Sequence, residues 1–583
     1  MIWWLPILMA CKTEEPSTPE AVVEPVPTAA VDIQAIPLLS VEEPARGSFD
    51  SKGSGIVRGT VDAGQASVAE VTVNDELFDV ESDGAFYAAM PWTPGIQILG
   101  VRVEADNGER AVDGRAFHAG PVNEPGAWIE GAIRMEIDSE ILDDDDDELD
   151  DIAGLLEVAL EDESILSGLI GMPVDAGGVV ITPTDIEFGR ALIDLVPGTG
   201  QLETLVSLEA IELEYDVSGV DWYSWLGTFG SAWATRVDAY VVLTVASSGG
   251  TVRAEATEVE VSLNDFGVTV EYVPDFLEGS ISGWIQGAIE DAVAGAVEEV
   301  IAEYVASSLE AFAIGASLSS EMDMDMRLAG LEIVPDGVRF EADARLSTTV
   351  SRELPDGAGS LTTSGSPPDW PEEKSQSFWA AVDDDLMNQL AFTFWQSGAV
   401  EGIELDAVLL GGLAGGPLPP PLGPADNVEM SLGLPPVMTP ADTDEWAAQV
   451  AVGEWRVKFN RTDGEVLDFS VNARAAVDAT VDDEGQIELT VNSRPVDMDL
   501  AIGVIEAPES LDPGDLAALV RLMIPPLLGN AGEFAPKIPI PVLPMDEFVN
   551  VPATEGKELI MSNPTVRVDQ DGWMLLESGL DVR

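Results

Sequence analysis

The chain has 583 residues, with 26 Lys+Arg against 107 Asp+Glu, a formal net charge of -81. Such a surface repels nucleic acid and anionic headgroups unless cations intervene. One cysteine and one histidine exclude a disulfide scaffold and a cysteine-rich zinc site, while 46% hydrophobic residues supply cores for three or four domains at roughly 150 residues each.

Residues 1–11 are an apolar run ending in Leu8-Met9-Ala10-Cys11. The run is too short to span a bilayer and lacks the usual basic n-region. It resembles a bacterial lipoprotein signal, in which the cysteine is lipidated after cleavage, so Cys11 is the expected lipid-attachment residue. Lys12 follows it, and in such lipoproteins a residue other than Asp favours release to the outer membrane. The expected location is the bacterial cell envelope, lipid-anchored at the outer membrane. Residues 12–52 are rich in Pro, Glu, Thr, Val and Ala without periodicity. They read as a disordered linker with a reach of roughly 35 Å.

Residues 53–120 alternate as short strands broken by turns such as Asp83-Gly84 and Asp106-Asn107-Gly108. This spacing predicts a small β-sandwich, similar to the immunoglobulin-like modules of bacterial surface proteins. Such a module would serve as a spacer or meet a protein partner.

Residues 121–320 open on an alternating strand at 127–135. An acidic helix is predicted over 139–162, then strands at 179–188, 205–215, 236–246, 251–263 and 268–273. The longest helical pattern follows, 274–313. Ile281, Trp284, Ile285, Ile289, Val293 and Ala296 supply its apolar face, and that face drifts round by Val300. Residues 321–583 repeat the scheme. Met322, Met324 and Met326 alternate as core or as adaptable acyl-chain contacts. One helix is predicted from Asp384 to Ser397, with Asp384 as cap and Leu386, Leu390 and Phe394 on its apolar side. Another spans 515–528, with Leu516, Leu519 and Met523. A Gly/Pro-rich loop occupies 411–424, and short Asp-x-Gly hairpins punctuate the body. The two halves read as degenerate copies of one strand-and-helix unit. The fold class is α+β.

The order of elements resembles the family of bactericidal/permeability-increasing protein, lipopolysaccharide-binding protein and cholesteryl ester transfer protein, in the tubular lipid-binding (TULIP) superfamily. The C-terminus carries most of this: Lys537-Ile-Pro-Ile-Pro-Val-Leu-Pro544, then Ile560-Met-Ser-Asn-Pro-Thr-Val-Arg-Val568, then Asp571-Gly-Trp-Met-Leu-Leu576. Ser377-Phe-Trp-Ala-Ala-Val-Asp-Asp-Asp-Leu-Met-Asn-Gln-Leu390 resembles the start of that family's second domain. The resemblance covers about 121–583. It implies two elongated barrels in tandem, 121–320 and 321–583, each a twisted antiparallel sheet around a long helix with an apolar groove for acyl chains. The groove candidates are the apolar helix residues named above. The family's disulfide is impossible with Cys11 alone, and its basic tip has no counterpart in so acidic a chain.

No catalytic constellation stands out. His118 is the single histidine, and no G-x-S-x-G elbow, Walker loop or G-x-G-x-x-G occurs. Asp143 to Asp147 fails the EF-hand pattern, because Glu148 stands where Gly is needed. The expectation is a non-enzymatic lipoprotein that binds, and transfers, phospholipid or another acyl-chain ligand. It needs no cofactor or metal and has no nucleic-acid partner. The alternative is an adhesin or structural lipoprotein with solid cores.

Overall fold

The computed structural model describes residues 37–582 apart from 52, 65–66, 145–148, 162–169, 172, 176–178, 220–226, 249, 271–274, 312–321, 364, 372–373, 400, 409–410, 412–417, 419–420, 424, 442–445, 447, 482–485, 493, 495–497, 509–510, 535–537, 540–542 and 546–553. Cys11, most of the expected linker, the hairpin at Asp483-Glu484-Gly485 and most of the 411–424 loop lie outside the described residues. Strands dominate, with helices between them, as an α+β chain requires.

The first module is a two-sheet sandwich. Leu38–Glu43, Ser54–Asp62 and Ala85–Pro91 form one sheet. Phe49–Asp50, Arg110–Ala119, Gly95–Ala105, Val68–Val73 and Glu76–Phe78 form the other. Their inner faces meet at Val57, Val71, Phe86, Val103 and Phe117, with Trp92 set edge-on to Phe117 at 4.6 Å. A linker through residue 52 is therefore corrected. Leu38–Glu43 pairs antiparallel with Ser54–Asp62, and Val41 enters the core. The Pro/Glu composition of the segment hid a short alternation, Leu39 and Val41, long enough for one edge strand.

The body does not divide at 320/321. One antiparallel sheet runs Met322–Val334, Gly337–Thr348, Ile129–Asp138, Phe378–Val382, Met574–Val582, Glu558–Val568, Leu543–Pro544. Ile129–Asp138, from the first half, lies between two strands of the second, and the C-terminal strand closes on it through Phe378–Val382. Local periodicity carries no information about such distant pairings.

On one side of this central sheet lies a first long-stranded sheet, ordered Val174–Asp175, Val179–Glu187, Leu202–Gly219, Gly227–Ser248, Thr251–Asn264. Arg190–Pro197 and Gly267–Val270 are added to its long strands. The acidic helix expected over 139–162 is two helices, α1 (Ser139–Leu142) and α2 (Ile152–Glu161). Aspartates at the break bond backbone N–H groups within the segment and across to the strand Arg190–Pro197. Asp143 Oδ2 accepts from Leu195 N at 2.8 Å, and Asp151 accepts from Asp144 N at 3.0 Å and Gly154 N at 2.5 Å. Helix α3 (Asp275–Ala311, 37 residues) lies over this sheet and is roughly 55 Å long at 1.5 Å per residue.

A second long-stranded sheet runs Ile403–Leu405, Ala425–Leu432, Ala448–Arg461, Val466–Val481, Gln486–Val491, Ile538–Pro539, with Val437–Pro440 and Asp499–Glu506 added. Helix α4 (Asp384–Gln396) packs between the central sheet and Val437–Pro440, and α5 (Pro513–Phe534) lies over the second sheet. The N-cap of α4 is Asp383, one residue before the expected cap.

The sandwich module is docked on the body. Strand Arg110–Ala119 packs on Asp499–Glu506 so closely that a Cβ on Gly114 would stand 2.4 Å from the Ile502 backbone, and one on Gly503 2.2 Å from Gly114 O. Glu454, at φ +51, fills the contact. It accepts from Ala116 N at 2.7 Å, Ser470 Oγ at 2.8 Å and Arg46 at 3.3 Å. Arg46 also pairs with Asp113. A free spacer does not describe this geometry.

Candidate functional site

The apolar ridge of α3 is set by a four-residue spacing: Ile285, Ile289, Val293, Val297, Ile301, Val305, Leu309. Four residues at 3.6 per turn advance about 40° beyond a full turn, so the buried side winds steadily around the helix. This is the drift visible in the sequence, and it suits a helix lying over a twisted sheet. Opposite the ridge, a Cβ on Gly283, Gly287 or Gly295 would meet nothing within 4 Å.

Thr251–Asn264, under α3, is an edge strand of the first sheet, and Met322–Val334 is an edge strand of the central sheet. Both carry a β-bulge. The first shifts register opposite Val242/Leu243 and the second between Leu328 and Gly330. An extra residue switches which parity faces inward. In the first strand the inward side passes from Val252, Ala254 and Ala256 to Val259, Val261 and Leu263. In the second it passes from Met322, Met324, Met326 and Leu328 to Leu331 and Ile333. Ala254, Val259, Val261, Leu263, Met322, Met324 and Met326 pack on the main core yet stay half-exposed. Beside α3, the half-exposed side chains of Thr251–Asn264 make an apolar seam that the described residues cover only in part, and the half-exposed methionines lie on the other edge strand.

The sequence candidates fall in several places. The side chains of Ile281, Trp284, Ala296 and Val300 lie outside the described residues. Ile285 is fully buried among Ile181, Leu213, Tyr215 and Val217, and Val293 is buried in the main core. Ile289 is half-buried and borders the seam. Leu386 and Leu390 pack on the central sheet's core, and Phe394 is half-buried. Helix α4 has no polar side facing water: Asn388 exchanges hydrogen bonds with Met438 (3.0 and 2.7 Å), and Gln389 takes Leu346 N at 2.7 Å and gives to Ala127 O at 2.8 Å. These two polar residues pin three segments and were invisible to a search for apolar faces.

Leu516, Leu519 and Met523 of α5 meet the second sheet. Met523 borders a cavity of about 30 Å³, lined also by Leu422, Trp455, Phe469, Val520 and Ile524. Cavities that admit benzene are about 150 Å³. This one accommodates a methyl-sized group, so the described residues leave no acyl-sized space beside Met523.

Among the described residues, His118 and Asp151 have pKa values shifted chiefly by burial. His118 is fully buried, stacked on Phe49 at 5.1 Å, with no partner for either ring nitrogen among the described residues. Desolvation pushes it down to about 4. Asp151, pushed up to about 7 chiefly by burial, caps α2. Glu136, buried in the central sheet, is flanked by Lys374 at 2.9 Å and Arg339 at 3.3 Å, with Arg339 over Trp370 at 5.1 Å. That is a structural ion cluster. No helix among the described residues is long and apolar enough to cross a membrane.

No family model matches the chain, and no curated protein matches its sequence. Among solved structures, it is similar to a lipopolysaccharide binding protein at 13% identity, covering 78% of this chain and 99% of that one with a TM-score of 0.38. P47 of Clostridium botulinum E1 matches at 9% identity over 79% of this chain and 100% of that one, TM-score 0.21. The fibronectin(III)-like modules of Clostridium thermocellum CbhA match at 7% over 40% and 92%, TM-score 0.13. At these scores the likenesses decide nothing about the site.

Proposed function

We propose that this chain is a non-catalytic lipid-binding protein of the bacterial envelope, anchored through Cys11. On this reading the two long-stranded sheets with α3 and α5 are tubular lipid-binding units joined by the central sheet. Acyl chains enter the seam bordered by Ile289, Val261 and Leu263, with Met324 a second contact on the edge of the central sheet. The half-exposure of apolar side chains along the edge strand under α3 supports this most strongly. Each methylene leaving water there contributes roughly 0.8 kcal/mol, and flexible methionines adapt to chains of different shape. Headgroups stay outside, where the surface is acidic, so zwitterionic lipids are favoured over anionic ones. No covalent step is involved. The test is uptake of a phosphatidylcholine with a fluorescent acyl chain from vesicles. Val261→Asp, at a half-exposed position, lowers uptake at least tenfold with the circular dichroism spectrum retained. Equal uptake by the variant and the parent would refute the site.

A second reading, a solid-cored structural or adhesive lipoprotein, is favoured by the full burial of Ile285 and the 30 Å³ cavity under α5. It differs in one respect: the seam would be covered by another protein.

A further inference from the structure

The N-terminus of α4 gathers three consecutive carboxylates at a junction of the fold. One carboxylate oxygen each from Asp383, Asp384 and Asp385 lies within 4.8 Å of the others. Oxygen ligands stand about 2.4 Å from Ca²⁺, so ligands on opposite sides of one ion are about 4.8 Å apart. The first oxygens are held in place: Asp385 N donates to Asp383 Oδ1 at 3.0 Å, Thr363 Oγ1 to Asp384 Oδ1 at 2.7 Å, and Thr363 N to Asp385 Oδ1 at 2.6 Å.

Asp384 is 1% exposed, and its Oδ2 is buried with no hydrogen-bond donor among the described residues. That oxygen lies 2.5 Å from where a Cβ on Gly572 would stand. Gly572 is at φ +95, so glycine both makes the turn and leaves the space beside the carboxylate clear. An uncompensated buried charge costs several kcal/mol. The helix dipole offers about half a charge against three carboxylates. The groups acting on Asp383 and Asp385 are other carboxylates, Thr363 and backbone N–H groups, with no guanidinium or ammonium among them.

The geometry points to a divalent-cation site for a hard ion of the Ca²⁺ class, with Asp383, Asp384 and Asp385 as ligands. An ion there ties α4 to the Thr363 segment and to the turn at Gly572 that leads into the C-terminal strand. This role is independent of the lipid reading.

The experiment uses the full chain, stripped with EDTA, then titrated with CaCl₂ by calorimetry and thermal melting at constant ionic strength. The expected result is one saturable equivalent above the weak background of the acidic surface, with a rise in the melting midpoint. Asp384→Asn weakens that equivalent at least tenfold, and Asp385→Asn does the same, so either variant serves if the other folds poorly. The surface control Glu212→Gln/Glu214→Gln retains it. Tb³⁺ luminescence sensitised by tryptophan, Trp573 being next to Gly572, appears in the parent, is displaced by Ca²⁺ and is absent in Asp384→Asn. Only weak, unsaturable binding, equal in parent and Asp384→Asn, would overturn the site and assign shared protons to the three carboxylates.

Discussion

Ala116 N–H donates to Glu454 Oε1 at 2.7 Å across 338 residues of sequence, so the sandwich module and the second sheet share one buried polar contact. Removing one member of such a network leaves the rest desolvated and unpaired, which costs about 3–5 kcal/mol. Glu454→Ala is therefore expected to undock the module. Limited proteolysis then releases a fragment ending near residue 120, and small-angle scattering reports an expanded particle. An unchanged digestion pattern would mean that the remaining contacts hold the module, Arg474 Nη2 to Ile96 O at 2.6 Å among them.

The same contact depends on the absence of a side chain. A Cβ at Gly114 would stand 2.4 Å from the Ile502 backbone, closer than flexible side chains could relieve. Gly114→Val is expected to lower the melting midpoint more than Gly100→Val. Gly100 lies on the neighbouring strand, where the nearest atoms to a Cβ are side-chain atoms at 3.8 and 3.9 Å.

Two backbone positions give opposite expectations for glycine and alanine. Gly287 lies within α3, and its Cβ position is open. Gly287→Ala is thus expected to stabilise by about 0.8–1 kcal/mol. Ala210 sits at φ +53, where the buried parity of its strand changes from Leu202, Val206 and Leu208 to Ile211, Leu213 and Tyr215. The left-handed region costs an L-residue roughly 1–2 kcal/mol, so Ala210→Gly is expected to be neutral or stabilising. Urea-melt midpoints decide both. A loss of stability in Gly287→Ala would mean that the glycine face of α3 is occupied in solution.

His118 makes stability depend on pH. Its folded pKa, about 4, lies below the ordinary 6.5 because the buried ring cannot take up charge. Between these values the unfolded chain binds the extra proton, so stability rises with pH across that window and falls on acidification from 6.5 to 4. The full effect is roughly 3 kcal/mol. His118→Phe, a ring that can still stack on Phe49, should flatten this slope and leave stability above pH 7 nearly unchanged. Asp151 acts in the opposite sense. Raised to about 7 by burial, it binds its proton more readily when folded and favours the native state at lower pH. The comparison therefore needs the difference between parent and variant, not the parent profile alone.

Local signals carried much of the fold. The period of α3, the alternation of the long strands, and the turns at Gly84, Gly337 and Gly572, all at positive φ, follow from residue type and spacing. The bulge near Thr257 is also legible in hindsight: Val252-x-Ala254-x-Ala256 gives way to Val259-x-Val261-x-Leu263, a parity change that rigid alternation would not produce. The central sheet was not legible. Pairing of Arg134 with Ala381, and of Val382 with Met574, depends on contacts made only after the chain has folded back on itself. The docked module was missed for the same reason, since Glu454 and Arg46 look like ordinary surface charges in an acidic sequence. The site was half legible. Apolar helix faces were found, but whether a face such as that of Ile285 meets a core or a lumen depends on the sheet opposite. Of the half-exposed strand residues, Met322, Met324 and Met326 stand out in the sequence as adaptable side chains, while Val259, Val261 and Leu263 read as ordinary strand alternation.

Native mass spectrometry of the full chain, purified without detergent and then incubated with phosphatidylcholine vesicles, bears on whether the seam holds lipid. Lipid occupancy is expected in the parent, with stoichiometric adducts that survive gentle desolvation and are lost in Val261→Asp and Met324→Asp. A chain that stays lipid-free after incubation, with both variants indistinguishable from it, would contradict lipid binding and leave the seam as a contact for protein.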